Sequence, residues 1–244
     1  MNDIAELRKI TGAPILKCRE ALLNTKTIDA AIDFLRASGI SLANNKINRE
    51  TSDGLVYTAE NDTKVLIMTV LCETDFVARN NTFNDFCSKW AKAILNNEAV
   101  DTKEAISILG ENIKIGETCI YDKNNTISTY IHNGGKLGVI VEGDNIPETV
   151  LKDIALQIAA SSPVCIKRDE IPENIIERER ALCFEMHSDK QPHVAEQILK
   201  GKLGKLYKDI CLVDQPFVKN PEVSVNNVIK DGTILRFNVL RVKG

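Results

Sequence analysis

The amino-acid sequence predicts an α+β fold in three parts. These are an N-terminal three-helix domain, a two-part α+β core with antiparallel sheets, and an inserted helical (coiled-coil) hairpin. Three observations predict it. Apolar residues among the first forty positions recur at helical spacing around Gly and Pro breaks. Two later stretches each read as a β-hairpin followed by a helix. Two charged helices joined by a tight break then precede one last alternating strand. At 244 residues the chain is long enough to bury a large core and hold more than one domain. The predicted divisions are a three-helix domain at 1–40, a linker at 41–53, core subdomain 1 at 54–143, core subdomain 2 at 144–170 plus 211–244, and the inserted hairpin at 171–210.

Ile4, Leu7 and Ile10 begin a first helix that Thr11-Gly12-Ala13-Pro14 ends, because Gly permits positive φ and Pro cannot continue the ladder. Ile15, Leu16, Cys18, Ala21, Leu22 and Leu23 make a second helix. Asp29 opens a third, carrying Ala30, Ala31, Ile32, Phe34 and Leu35 and closed by Gly39. Three short helices around one small core resemble a ubiquitin-associated domain, a module that binds partners through a surface patch. Ile15 and Leu16 are adjacent at the Pro14 turn and do not easily share that core, which leaves either both inside or one exposed.

Ile40–Asp53 is polar and reads as a linker. Gly54–Glu60 and Lys64–Glu73 read as a hairpin about Asn61-Asp62. Phe83, Phe86, Trp90, Ile94 and Leu95 line one face of the helix that follows. Val100–Gly110 reads as a shorter helix, and Glu117–Asp122 is too short to assign. The pattern recurs with Thr126–Ile131 and Lys136–Glu142 joined through His132-Asn133-Gly134-Gly135, then a helix started by Pro147 and stopped by Ser161-Ser162-Pro163. Pro172–Met186 and Val194–Leu206 form the helical hairpin, broken at Asp189–Pro192. Gln215–Pro221 reads as a rigid loop between two prolines, Ser224 as a helix cap, and Thr233–Val242 as a strand returning to the second sheet.

The composition narrows the function. A net charge of −3 gives no general attraction to nucleic acid or to an anionic membrane. Lys200, Lys202, Lys205 and Lys208 crowd one helix end, but no aromatic residues interleave for base stacking, so a solvated face is expected. The N-terminus lacks the regions of a signal peptide, and no apolar run approaches the roughly 20 residues that span a bilayer, so a cytoplasmic protein is expected. The 7 cysteines include no C-x-x-C pair and read as reduced, mostly buried residues. His132, His187 and His193 pair with no nucleophile by spacing, and Asn133-Gly134-Gly135-Lys136 lacks the spacing of a phosphate loop. Glu73 and Asp75 lie two apart at a strand end with no third ligand near them in sequence, which argues against a metal or acid–base pair. Bond chemistry is not expected.

One junction stands out. Cys72-Glu73-Thr74-Asp75-Phe76-Val77-Ala78-Arg79-Asn80 lies between a buried strand and an amphipathic helix, where a chain presents side chains that packing does not need. Local physics leaves Phe76 two readings, folded back on the core or presented to a partner. Longer motifs bear on the choice. Leu7-Arg8, Thr11-Gly12-Ala13-Pro14, Cys18 and Ala21-Leu22 resemble the N-terminal signature of the elongation factor Ts family, the nucleotide exchange factors for elongation factor Tu in translation. Thr74–Asn80 is similar to the central motif of that family. Gly110-Glu111-Asn112-Ile113, Ile158-Ala159-Ala160-Ser161-Ser162-Pro163 and Gln215-Pro216-Phe217-Val218 are similar to its later motifs, in the same order.

The resemblance implies elongation factor Tu as partner and a role for Phe76. Within Thr74, Asp75, Phe76 and Val77, the Asp75–Phe76 pair would insert into the partner's G domain. Phe76 would wedge between helices near the nucleotide and disturb Mg²⁺ coordination and the phosphate loop, so that GDP leaves. The resemblance also places Arg8, Ile15 and Leu16 on the surface that meets that domain, and the helix after Pro147 against another. Two departures are visible: Asp153 stands where many members have His, and the chain stops at Gly244 without the C-terminal helical module of some members. No catalytic residue, metal, cofactor, or direct nucleotide, nucleic-acid or membrane binding is expected, and a homodimer or 2:2 complex through the hairpin or core is left open. The alternatives are an adaptor that binds ubiquitin-like or other proteins through its helical module, with Asp75 and Phe76 dispensable, and a thiol enzyme.

Overall fold

The structure, a computed structural model, describes residues 2–187 and 190–242. Its contacts gather the chain into two units. The first comprises Met1–Asp122, Ile131–Gly138 and Leu240–Gly244, and the second Lys123–Tyr130 and Val139–Val239.

The first unit begins with α1 (Asn2–Thr11), α2 (Ile15–Asn24) and α3 (Ile28–Lys46). Leu7, Cys18, Ala21, Ala31 and Leu35 close a small core between them. Gly12 makes the first turn at φ 67°, a conformation that costs glycine little. Ile10, expected inward, is 55% exposed. The third helix does not end at Gly39 but runs on to Lys46. It is held there by packing against α6 (Lys103–Leu109), which outweighs the roughly 1 kcal/mol cost of an interior glycine.

An antiparallel sheet follows, in the order β1 (Asp53–Glu60), β2 (Lys64–Cys72), β3 (Lys114–Asp122). Asn61 makes the β1–β2 turn by accepting backbone N–H groups of Thr63 and Lys64 on its Oδ1. Central β2 is buried from Val65 to Val70, as its apolar run, interrupted only by Thr69, requires. Glu117–Asp122, unassigned from sequence, is the end of β3. This edge strand carries mostly exposed side chains, so hydrophobic patterning could not reveal it. A four-residue helix, α4 (Asp75–Ala78), leads from β2 to α5 (Asn81–Leu95). Phe83, Phe86 and Trp90 of α5 pack on the sheet, the last two rings stacked with centroids 5.4 Å apart. The Asn80 side chain caps α5 by accepting from Thr82 N.

The second sheet has the order β4 (Thr126–Ile131), β5 (Leu137–Asp144), β8 (Thr233–Arg241), so the final strand joins a partner far back in sequence. In the second unit the carboxylate of Glu142, only 4% exposed, accepts from Arg236 Nε at 2.6 Å and Asn125 Nδ2 at 2.8 Å. A buried anion so paired avoids most of its desolvation cost. Helix α7 (Glu148–Ser161) buries Leu151, Ile154 and Ile158 and ends at Ser162 with φ 49°.

Helices α8 (Glu173–Met186) and α9 (Pro192–Ile210) pack on one another around Cys183, Ala195 and Leu199. The predicted break at Asp189–Pro192 lies partly outside the described residues. Cys165 and Cys211, on either side of this hairpin, form a parallel bridge with sulfurs 3.5 Å apart. Gln215–Pro221 is not a plain rigid loop. It folds as a short hairpin, β6 (Pro216–Phe217) and β7 (Asn220–Ser224), before α10 (Val225–Ile229), which Ser224 caps through Asn227 N. Its reason is a buried amide network. Gln157 donates to Gln215 Oε1 at 3.1 Å and accepts Val218 N at 2.6 Å, and Ser161 Oγ donates to Gln215 Oε1 at 2.5 Å. The motif residues Ser161 and Gln215 thus fasten β6 to α7.

Candidate functional site

Thr74, Asp75, Phe76 and Val77 fall together at the junction of β2 and α4. A helix of four residues makes little internal hydrogen bonding, so its position must come from what surrounds it. Two anchors do this. Val77 and Ala78 bury against Cys72, Phe83 and the rest of the first core. Between Asp75 and Val77, Phe76 points away and is 83% exposed, the highest value among the exposed large hydrophobic residues described. The fold-back reading of Phe76 is excluded.

The second anchor was not foreseen from sequence. Glu111 reaches across from the loop before β3 and accepts Glu73 N and Thr74 N on Oε2, each at 3.0 Å. Thr74 Oγ1 donates to Glu111 Oε1 at 2.6 Å. Thr74 therefore does not cap α4 with its own side chain. In return Asn112 N donates to Glu73 Oε1 at 2.7 Å. Asn112 is fully buried, and its Nδ2 donates to Ile47 O at 3.1 Å and Arg49 O at 2.5 Å. Lys46 Nζ donates to Gly110 O. Gly110, Glu111 and Asn112 thus tie the end of α3 to the turn below Phe76. In sequence the only sign of this was their place in one motif.

The carboxylates at the junction are separately occupied. Asp75 pairs with Arg79 one helical turn on, at 3.1 Å, and Glu73 lies 3.6 Å from Arg49 Nη1. They do not converge on a common point. A cleft of about 620 Å³ opens beside them, bordered by Gly54, Tyr57, Asp75, Arg79, Ile131 and Lys136. Lys136 pairs there with Asp53. Burial acts to raise the Asp53 carboxyl, but hydrogen bonds from Lys136 and Gly54 N–H, with the charges of Lys136 and Arg79, hold it below 3.8.

The other predicted residues lie in the helical module. Arg8 on α1 is exposed. Ile15 and Leu16, where at least one was expected outside, are both exposed at the start of α2, by 53% and 78%. With Ile10 and Leu23, the α1–α2 pair leaves four large apolar side chains uncovered. Such residues stabilise nothing in the isolated fold and suit a protein partner. Asp153, the departure noted on α7, pairs with Lys219 at 2.6 Å.

Three buried cysteines are poorly placed for a thiol mechanism. Burial pushes the Cys72 thiol up to about 12, with the charges of Glu111 and Asp53 adding to it. Burial raises Cys87 and Cys211 to about 12 as well. Thiols so placed stay protonated near neutral pH and are poor nucleophiles. Mass spectrometry after brief treatment of the native protein with iodoacetamide at pH 7.4 is expected to find Cys72, Cys87 and Cys211 unmodified. Rapid labelling of Cys72 would reopen the thiol reading.

Among the described residues, no helix is long and apolar enough to cross a membrane. The family described as Elongation factor TS matches residues 73–243, more than half of the chain. Three curated proteins, each named Elongation factor Ts, are similar over nearly all of it. That of Halothermothrix orenii is 37% identical over 100% of this chain and 89% of its own length. That of Aquifex aeolicus is 34% identical, over 95% and 92%. That of a Hydrogenobaculum species is 35% identical, over 96% and 94%.

Proposed function

We propose, from the premise that the chain belongs to the elongation factor Ts family of translation elongation factors, that it binds elongation factor Tu·GDP and promotes release of GDP so that GTP can bind. The observation that carries this reading is Phe76, a large apolar side chain 83% exposed on a four-residue helix whose next two residues, Val77 and Ala78, are buried. Folding gains nothing from Phe76 in that place, and binding does if a partner covers it. In this reading Asp75 and Phe76 enter the partner's G domain and disturb its Mg²⁺ and phosphate contacts. Arg8, Ile15 and Leu16 dock the helical module on the same domain.

The mechanism is linkage and breaks no covalent bond. A protein that binds empty elongation factor Tu more tightly than the GDP-bound form must weaken GDP by the same factor. Each tenfold loss of nucleotide affinity needs about 1.4 kcal/mol of differential contact. Burying one Phe contributes roughly 1.5–3 kcal/mol, which is enough. The adaptor alternative uses the same helical module but needs no exposed Phe76.

The test is the release of a fluorescent GDP analogue from purified elongation factor Tu. Adding this protein is expected to speed release at least tenfold, in line with the wedge energy above. No acceleration with a matched partner would remove the exchange reading and leave the adaptor.

A further inference from the structure

We propose that Glu111 is a positioning residue for Phe76, acting through the Glu73–Thr74 turn. The inference rests on the exchange reading and adds to it the residue that aims the wedge.

Phe76 cannot orient itself. At 83% exposed it has almost no packing of its own, so the α4 backbone decides where the ring points. Helix α4 has only four residues, and its N-terminal side chain makes no cap. The turn's donors are satisfied instead by one carboxylate 37 residues ahead, which receives Glu73 N, Thr74 N and Thr74 Oγ1. Three bonds to the two oxygens of one rigid group fix rotation as well as translation. Each is charge-assisted, and so shorter and stronger than its neutral counterpart.

The carboxylate is itself held. Its neighbour Asn112 is wholly buried and bonded to Ile47 O, Arg49 O and Glu73 Oε1. A link to a buried asparagine on one side and to the presented turn on the other is what a locating strut requires. The burial of Val77 and Ala78 keeps α4 on the core, and Ser52 Oγ and Cys72 Sγ donate to the carbonyls of Glu73 and Thr74 at 3.3 and 3.1 Å, but the backbone N–H groups of both turn residues rest on Glu111.

A glutamine at this position keeps the shape of Glu111 and the packing of Val77 and Ala78. It replaces the acceptor oxygen that faces Thr74 Oγ1 with an NH₂ group that donates to the hydroxyl instead, and leaves a neutral carbonyl to accept Glu73 N and Thr74 N, so all three bonds lose their charge assistance and weaken. If the competent orientation of Phe76 then falls to a tenth of molecules, its effect falls by about the same factor.

The 244-residue chain is titrated against elongation factor Tu carrying the fluorescent GDP analogue, giving a maximal release rate and a half-saturating concentration. For Glu111→Gln the maximal rate is expected to fall about tenfold, while half-saturation moves less than about threefold because the helical module still docks. Amide hydrogen exchange at Glu73 and Thr74 is expected to quicken by about tenfold or more, with the thermal midpoint nearly unchanged. A merely structural loss would lower the midpoint and leave the two kinetic parameters uncoupled from these amides.

A folded Glu111→Gln protein with the wild-type maximal rate overturns the proposal. Should that variant unfold, Thr74→Val and Thr74→Ser decide. The serine, which keeps the hydroxyl, is expected to retain the maximal rate, and the valine to lose it severalfold; equal rates overturn the proposal. Failure of the wild type to accelerate release removes the exchange reading itself, whereas an active wild type with unaffected variants removes only the role of Glu111.

Discussion

Phe76→Ala is expected to lose most of the acceleration of GDP release, about ten- to hundredfold in the maximal rate. The range follows from the roughly 1.5–3 kcal/mol that one buried Phe contributes in the complex. Stability should hardly change. The ring is 83% exposed in the free protein, and substitutions at such sites usually stay within about 0.5 kcal/mol. The two readouts therefore separate binding from folding. Leu16→Ala, in the other exposed cluster, serves as contrast, with a higher half-saturating concentration and a maximal rate near wild type. If Phe76→Ala releases GDP as fast as the wild type, exchange survives but the wedge is elsewhere.

The second large effect is on folding. Gly54 lies opposite Leu71 in the β1–β2 register and adopts φ 141°, where side chains are strained. A Cβ placed there would come within 2.1 Å of Val70 O and 2.8 Å of Leu71 Cα. Both atoms are backbone of the central strand, so neither can step aside. Gly54→Ala is expected to cost about 2–5 kcal/mol from strain and overpacking together. That corresponds to a fall of roughly 5–15 °C in the midpoint of thermal unfolding for a protein of this size.

Gly201→Ala is the internal comparison. Gly201 lies within α9 and its missing Cβ faces open space. Alanine there should raise stability by about 0.5–1 kcal/mol. Opposite signs for two identical substitutions would show that backbone conformation and space, not glycine content, govern the response. A Gly54→Ala protein as stable as the wild type would mean that β1 starts differently from the register described.

The elements with strong periodicity were legible in the sequence: α1, α2, α5, α7, the β1–β2 hairpin and β8 all follow apolar spacing or turn chemistry. What escaped depended on contacts distant in sequence. Helix α3 passes Gly39 because α6 packs on it, and α6 lies more than fifty residues further on. Edge strand β3 faces its side chains mostly to solvent, so its β2 pairing left no hydrophobic alternation. At the site, Phe76 was visible as an apolar residue in a polar junction, but its exposure was undecided locally. The burial of Val77 and Ala78, the two residues after it in α4, turns Phe76 outward and settles that point. Glu111 was unreadable for another reason. A carboxylate in a polar loop looks like any solvated charge until folding brings Glu73 N and Thr74 N to it.

The place of β8 has a consequence for how the protein is made. Strand β5 is central in its sheet, between β4 and β8, and Val139, Ile140 and Val141 are wholly buried in the finished fold. A ribosome delivers β4 just before β5, but Thr233 follows Asp144 only after the whole helical hairpin has been translated. At about 5–20 residues per second this interval lasts several seconds or more. Throughout it one edge of β5 offers unpaired N–H and C=O groups to any neighbouring strand. Sheet β1-β2-β3, complete once Asp122 has emerged, carries no such delay. Nascent-chain aggregation should therefore depend on how fast the segment from Asp144 to Thr233 is translated, and slow codons there should do more harm than the same codons before Asp122.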